Sequence, residues 1–423
     1  MSKINVGLIG LGTVGGGVLK VLKDNPDICI KKIAVRDINK KRNIEGLDTS
    51  ILTNDPFSIV QDSDIDVVVE VMGGVNPALD LLESAVRNGK HVVTANKELL
   101  AKHGEELFKL ANEKNVVILY EAAIAGGIPI IMPIKTTLAG NKIKKIAAIL
   151  NGTTNYILTK MEESDVSYEE VLKEAQKLGY AEADPTGDVE GFDSAYKITT
   201  LATIALNQRT SINKVYREGI TKISADDMKF AKELGYKIKL IALAELNDKN
   251  ETDVRVHPML VPETNILSTI NGVTNAVLVE GFPVGKVVFA GPGAGEMPTA
   301  SSVVGDILAI QRSIDAAEPL PMMRCTHKVN ANQLNIADTV NKYYISLTAV
   351  NSPGVIGTIG EICGKHKINL SSVLQKGANN KENTAQIVVI TESSKESNIQ
   401  DAIFELNSSD SIVKVNNLIR VME

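Results

Sequence analysis

The stretch KINVGLIGLGTVGGG, Lys3 to Gly17, decides the reading of the whole chain. Ile4, Val6, Leu8 and Ile9 make a buried strand, and Val18, Leu19, Val21 and Leu22 follow at helical spacing. Between them lies Gly10-Leu11-Gly12-Thr13-Val14-Gly15, the G-x-G-x-x-G turn of a dinucleotide site. Gly10 permits the tight turn, Gly12 lets backbone approach a pyrophosphate, and Gly15 lets the helix pack on the strand. The phosphates belong at the helix N-terminus, where unpaired N–H groups and the helix dipole favour an anion.

A chain of 423 residues has room for about three domains. With 45 Lys and Arg against 51 Asp and Glu, the net charge is −6, so no basic excess is present to bind nucleic acid. Cys29, Cys325 and Cys363 are scattered without metal-ligand spacing, as expected in a reducing compartment. The strand begins at Lys3, leaving no space for a signal peptide, and no apolar run reaches membrane-spanning length. A cytoplasmic protein without membrane contact is expected.

Alternating elements continue from the glycine turn. A strand Ile28 to Val35 ends in Arg36-Asp37, with Lys40, Lys41 and Arg42 close behind. An acidic residue there favours NAD and an arginine favours NADP, so the reading leans to NADP with NAD as the alternative. Val67 to Val71 is a third strand, Ala78 to Asn88 a helix, and His91 to Thr94 a strand leading into Ala95-Asn96-Lys97. Helix Glu98 to Glu113 and strand Val116 to Tyr120 complete the run. The pattern predicts an α/β fold, a doubly wound parallel sheet of Rossmann type, in which ligands bind beyond the strand tips. Thr94 and Lys97 sit at such a tip and are candidate cofactor contacts, although a lone lysine there is as readily a surface residue.

After Tyr120 the chain becomes small and glycine-rich, from Glu121 to Pro129. A carboxylate beside inward carbonyls suits a hard cation; a plain sharp turn suits the spacing equally. Ile143 to Leu150 reads as a strand, and Asn151-Gly-Thr-Thr-Asn155 as a polar start to the next helix. An amphipathic helix Tyr168 to Leu178 precedes four carboxylates, Glu182, Asp184, Asp188 and Glu190, expected to frame Lys197. One helix, Glu190 to Ala205, carries Asp193 and Lys197 four residues apart and on one face, which fits an ordinary ion pair or a buried functional pair.

The middle of the chain reads as a mostly antiparallel α+β unit, with strands at Lys237 to Ala244, Val254 to Val261, Thr274 to Glu280 and Lys286 to Ala290. A second glycine loop, Gly291 to Gly295, opens helix Thr299 to Arg312 and suits closure over a cofactor or a simple join of strand to helix. Pro319 and Pro321 mark a linker. From Tyr343 the order is βαββαβ, a ferredoxin-like unit, with Ser352 expected to cap its first helix at Pro353. Its only aromatics are Tyr343, Tyr344 and Phe404, too few for an RNA-stacking face. The expected segments are 1–130 for the dinucleotide, with helix 299–318 packing back on it, 131–320 for substrate and dimerisation, 321–342 as linker, and 343–423.

With GLGTVGGG, TANK (Thr94 to Lys97), NGTTNYIL (Asn151 to Leu158), GYAEADPTGDVEGFDSAYK (Gly179 to Lys197) and GPGAGEMPTASSVVGD (Gly291 to Asp306), the chain resembles the homoserine dehydrogenases that carry a C-terminal ACT domain. The resemblance implies reversible, NAD(P)-dependent interconversion of L-aspartate 4-semialdehyde and L-homoserine, on the route to threonine, isoleucine and methionine. It implies Lys197 as general acid, with Lys97 as a second lysine near substrate and nicotinamide. Glu182 and Asp193 become substrate ligands, and Gly295 joins the Gly10 to Gly15 turn, Arg36, Thr94 and Lys97 around the cofactor. Glu121 and the carbonyls of Ile124, Gly126 and Ile128 become a monovalent cation site, sodium in kind. The ACT unit implies feedback by an amino acid, L-threonine, in a homodimer or homotetramer.

A free lysine titrates near 10.4 and is protonated at neutral pH, so it suits the acid role. Acting as base requires a lower pKa, which direct pairing with Asp193 would oppose; Asp193 is therefore expected to point mainly at substrate. Two other readings compete: an NAD(P) oxidoreductase acting on a different amino-acid-derived aldehyde, and a non-catalytic nucleotide or amino-acid sensor. A sensor needs no proton donor, so Lys97 and Lys197 together count against it.

Overall fold

The structure, a computed structural model, describes residues 3–316, 323–327, 329–379 and 382–423. The expected linker prolines, Pro319 and Pro321, lie outside those residues. The first strands and helices are β1 (Ile4–Ile9), α1 (Thr13–Leu22), β2 (Ile28–Ala34), β3 (Leu52–Thr53), α2 (Phe57–Val60) and β4 (Val67–Glu70). Next come α3 (Ala78–Arg87), β5 (His91–Thr94), α4 (Lys97–Glu113), β6 (Ile118–Leu119), α5 (Ala122–Ala125), α6 (Ile131–Lys135) and β7 (Lys142–Ile149). The middle holds α7 (Gly152–Ser164), α8 (Tyr168–Lys177), α9 (Thr186–Val189), α10 (Phe192–Leu206), β8 (Tyr216–Arg217), α11 (Ala225–Glu233), β9 (Tyr236–Leu246) and β10 (Thr252–Pro262). Then follow β11 (Thr274–Phe282), β12 (Gly285–Pro292) and α12 (Glu296–Asp315). The last elements are β13 (Val340–Val350), α13 (Val355–Lys365), β14 (Leu370–Asn379), β15 (Thr384–Thr391), β16 (Ser394–Lys395), α14 (Glu396–Asn407) and β17 (Ile412–Val421).

The chain divides into two compact units, each drawn from three stretches of sequence. The first comprises Met1–Leu150, Asp193–Asn213 and Thr274–Ala331. The second comprises Asn151–Phe192, Lys214–Val273 and Asn332–Glu423.

In the first unit a six-stranded sheet runs β3-β2-β1-β4-β5-β6 with every pairing parallel, the doubly wound order whose switch point lies between β1 and β4. Its central strands are apolar on both faces because helices cover both. Gly10 has φ +106°, and a Cβ there would meet the backbone of Val71 and Met72. A Cβ on Gly15 would run into the Gly10 carbonyl, and one on Gly17 would lie 2.7 Å from the Glu296 carbonyl oxygen and 2.9 Å from the Ala300 Cβ. These glycines set the depth to which α1 seats on the sheet and against α12. A second sheet in this unit runs β7-β11-β12, antiparallel.

The second unit packs β9 antiparallel to β10, and β10 pairs parallel with the end of β17 at Met259↔Arg420 and Leu260↔Val421. From there the order β17-β13-β15-β14 is antiparallel. Tyr343, Ile345, Leu347, Ile359, Ile387, Ile399 and Leu406 form its own buried core under α13 and α14.

Three local expectations change. The helix expected over Glu190 to Ala205 begins only at Phe192, as α10; α9 has ended at Val189, and Gly191, with φ +78°, stands between them. Ser352 is not the N-cap; that position is Gly354, with φ +95° and no side-chain cap bond, and α13 follows from Val355. The glycine-rich stretch from Glu121 to Pro129 opens with the short helix α5, which ends at Gly126 (φ +59°), where a Cβ would collide with the Gly293 carbonyl.

Candidate functional site

At the tips of β1, β2 and β4 a cleft opens between the Gly10–Gly12 turn, the Arg36–Arg42 loop and the strap of Val71, Met72 and Pro77. Arg36 and Asp37 are exposed on its rim. The Asp37 carboxylate accepts the Asn39 N–H at 2.8 Å, and Arg42 donates to the carbonyls of Lys40 and Asp37 at 2.9 and 2.8 Å. Those bonds hold the loop and leave Arg36 and Lys40 facing the cleft as its cations. Gly295 (φ +113°) precedes α12, and Glu296 in its first turn pairs with Lys20 of α1 at 2.6 Å.

Lys97 begins α4, where Asn96 caps the helix by accepting the Leu99 N–H at 3.2 Å. Asp193 and Lys197 lie one turn apart near the start of α10. The side chains meet: Asp193 Oδ2 is 2.7 Å from Lys197 Nζ, and Asp193 Oδ1 pairs with Lys97 Nζ. Lys197 also donates to the Leu150 carbonyl at 2.7 Å. The Asp193 side chain is 7% exposed and that of Lys97 43%, so one end of the cluster is buried and the other opens to solvent. Burial drives the Asp193 carboxyl pKa upward, but the charges and hydrogen bonds of Lys197 and Lys97 outweigh it and hold the group well below the ordinary carboxylate range. The expectation that Asp193 points mainly at substrate is corrected: both of its oxygens hold lysines, because helical spacing from one side and the β5–α4 turn from the other converge on it.

Thr94 is buried, and its hydroxyl donates to Glu70 Oε2 at 2.6 Å, so the side chain faces into the sheet and not towards the cleft. Glu121 is buried; its carboxylate accepts the N–H groups of Ile130, Ile131 and Met132 at 2.5, 2.7 and 2.9 Å, anchoring the start of α6. Its own N–H donates to Asp306 Oδ2 at 2.9 Å. Burial, with the Glu121 carboxylate nearby, pushes the Asp306 carboxyl well up. The Gly126 carbonyl accepts the Ser302 hydroxyl at 2.7 Å, and the Ile128 N–H donates to Ala125. As a cation site this set fits only in part: the carbonyls of Ile124, Gly126 and Ile128 are oxygen donors, but the carboxylate already serves three N–H groups.

In the second unit the expected acidic frame is spent locally. Asp184 holds Thr186, Asp188 accepts from Asn151 Nδ2 at 2.7 Å, and Glu190 accepts the Thr221 hydroxyl. Glu182 is exposed on the loop after α8, its carbonyl held by Gln176. Asn151 caps α7 as expected.

Glu70 escaped the sequence reading, which took VVVEV as a plain buried strand. Its signal was present: a carboxylate in an otherwise apolar strand, one residue from the tip. Among the described residues no helix is long and apolar enough to cross a membrane.

A doubly wound sheet with a glycine turn at its switch point, and two lysines on one buried carboxylate, define a nucleotide-dependent oxidoreductase. The family model described as "Homoserine dehydrogenase" matches residues 129–308, and "Homoserine dehydrogenase, NAD binding domain" matches residues 10–121. The homoserine dehydrogenase of Neisseria gonorrhoeae is 41% identical, over 100% of this chain and 99% of its own. A crystal structure of a homoserine dehydrogenase from Thiobacillus denitrificans superposes with a TM-score of 0.94 at 39% identity, covering 100% of this chain and 99% of that one. A hyperthermophilic archaeal homoserine dehydrogenase in complex with NADPH has a TM-score of 0.63 at 27% identity, over 74% of this chain and 98% of its own. The chain belongs to the homoserine dehydrogenase family, the NAD(P)-dependent oxidoreductases of that name.

Proposed function

We propose that Lys197 is the proton donor for reduction of L-aspartate 4-semialdehyde to L-homoserine, with Lys97 beside it and Asp193 joining the two. The observation that carries this reading is the bridging of both lysines by one buried carboxylate. When bound, the reduced nicotinamide supplies the hydride. As it reaches the aldehyde carbon, the carbonyl oxygen becomes an alkoxide, and the Lys197 ammonium gives it a proton. Direct pairing with Asp193 keeps Lys197 in the ammonium form that carries the proton to be given, and leaves little neutral amine to accept one in the oxidative direction. Lys97 shares the carboxylate and so weakens its hold on Lys197. Glu182 is assigned to the amino-acid end of the substrate.

Arg36 and Lys40 on the cleft rim support NADP over NAD, and an archaeal relative is named as an NADPH complex. Gly10, Leu11, Gly12, Thr13, Val14, Gly15 and Gly295 are assigned to the cofactor, and Thr94 to the support of Lys97. A sodium-like cation is assigned to the carbonyls of Ile124, Gly126 and Ile128, with Glu121 contributing charge; no step of the reaction runs through it.

Residues 343–423 are assigned as an ACT domain that senses L-threonine in a homodimer or homotetramer. The strand order β17-β13-β15-β14, fourth-first-third-second of a βαββαβ unit, supports this. The functional segments are then 1–130, 131–320, 321–342 and 343–423, in a cytoplasmic enzyme of threonine, isoleucine and methionine synthesis.

The deciding experiment is Lys197→Ala, assayed by loss of reduced-nicotinamide absorbance with aspartate semialdehyde. A folded, nucleotide-binding variant is expected to lose about 100-fold or more in kcat. Near-full turnover would remove Lys197 from the chemistry.

A further inference from the structure

Glu70 stands in the middle of the nucleotide edge of the sheet and takes no part in the chemistry above. It ends β4, is fully buried, and lies in register between Ile9 of β1 and Thr94 of β5. Among the described residues no Lys, Arg or His nitrogen lies within 4.0 Å of its carboxylate. A buried carboxylate without a counter-charge persists only where fixed donors replace its water.

Three donors do so, and they come from two different loops. Oε1 accepts the Met72 and Gly73 N–H groups at 2.9 and 3.1 Å, which fixes the strap walling the dinucleotide cleft. Oε2 accepts the Thr94 hydroxyl at 2.6 Å, and the oxygen of that hydroxyl accepts the Asn96 N–H at 3.0 Å. Asn96 closes the circuit, donating from Nδ2 to the Gly74 carbonyl at 2.6 Å while capping α4 one residue before Lys97.

We infer that Glu70 is a positioning residue for the reduction: one carboxylate sets both the wall of the nucleotide cleft and the turn from which Lys97 projects. The inference rests on the assignment of Lys97 to the reaction. Both loops follow strand tips and both bond to the one carboxylate, so it couples the position of one to that of the other. Small displacements are costly in rate.

The chemistry of the two arms supplies the test. Glu70→Gln keeps an oxygen for Met72 and Gly73 but turns the other arm from acceptor to donor, so the Thr94 hydroxyl loses its acceptor. Thr94→Val removes the same bond from the other end. Each variant is expected to lower kcat about tenfold, with the NADPH Kd, from nicotinamide fluorescence, changed by less than about threefold. Thr94→Val also takes the acceptor from the Asn96 N–H, so the double variant is expected to be no worse than Thr94→Val alone, because both already lack the bond between Glu70 and Thr94. Thr94→Ser, which keeps the hydroxyl, is expected to retain wild-type kcat. Additive losses in the double variant, or kcat within twofold of wild type in both singles, would overturn the inference. Lys97→Met, measured in parallel, separates the two assignments. If it is impaired while Glu70→Gln and Thr94→Val are not, Lys97 stands and the positioning role falls. If Lys97→Met is fully active, the assignment of Lys97 falls and takes the positioning role with it.

Discussion

Lys97 and Lys197, exactly one hundred positions apart in the chain, are held on opposite oxygens of the same Asp193 carboxylate, with Lys197 Nζ at 2.7 Å. Removing the charge between them leaves two ammonium groups facing each other. Asp193→Asn is expected to cost about 3 kcal/mol of stability, as when one partner of a buried pair is deleted, and to lower kcat steeply. Urea unfolding and steady-state kinetics at pH 7 measure both; unchanged values in each would show that the bridge is inert.

Acid acts on the same carboxylate. Its folded-state pKa lies well below that of a free Asp, about 3.9, so the unfolded chain binds the proton first. The stability contributed by Asp193 is therefore complete above about pH 4 and is lost as pH falls further towards the folded value. Urea midpoints measured from pH 6 to pH 3 should fall less for Asp193→Asn than for wild type, and parallel curves would refute the linkage.

Gly17 is packed against α12, with the Ala300 Cβ 2.9 Å from where its own Cβ would be. Gly17→Val should force α1 off α12, cost about 2 kcal/mol by overpacking, and weaken nucleotide binding because the phosphate end of α1 moves with it. Thermal unfolding with and without NADPH reads both effects.

Arg36 lines the cleft beside Asp37. Arg36→Ala should lower kcat/KM for NADPH by about tenfold, equivalent to one charge-assisted bond, and leave NADH nearly unchanged. Equal losses with the two nucleotides would mean that Arg36 reads the shared part of the cofactor.

The cysteines should separate by environment. Cys363 is buried under α13, and burial raises its thiol pKa. Cys325 is half-exposed at the edge of a cavity lined by Tyr120, Thr203, Arg209 and His327, with its Sγ 3.3 Å from His327 Nδ1. Iodoacetamide labelling of the native protein followed by peptide mass mapping should find Cys325 modified well before Cys363. The reverse order would contradict the burial.

The C-terminal module also bears on how regulation is tested. Arg420, 2% exposed, is clamped by Glu396 at 2.6 and 2.9 Å and reaches Glu218 at 3.2 Å, while β17 pairs with β10. Cutting the chain before the module would expose the edge of β10 and take Arg420 from Glu218, so loss of activity in the shortened chain would not by itself report on a ligand of the module. Point variants on the outer face of the module are the cleaner probe.

Much of the nucleotide half was legible because its signals are local. GLGTVGG requires a turn at Gly10 and close packing at Gly15, and both follow from backbone sterics within six residues. The cap at Asn151 is equally local. Gly191 and Gly354 were missed because a positive φ just before a helix is set by the direction from which the chain must enter it, and spacing alone does not carry that information.

The sequence by itself determined that a dinucleotide binds, that α10 carries an Asp and a Lys on one face, and that the chain closes with βαββαβ. Only the tertiary structure decided that Asp193 holds both lysines and that Thr94 turns inward to Glu70. The physical reason is one of range. Turn chemistry and periodicity act over a few residues, whereas the partner of a buried charge is whichever group the folded core brings within hydrogen-bonding distance.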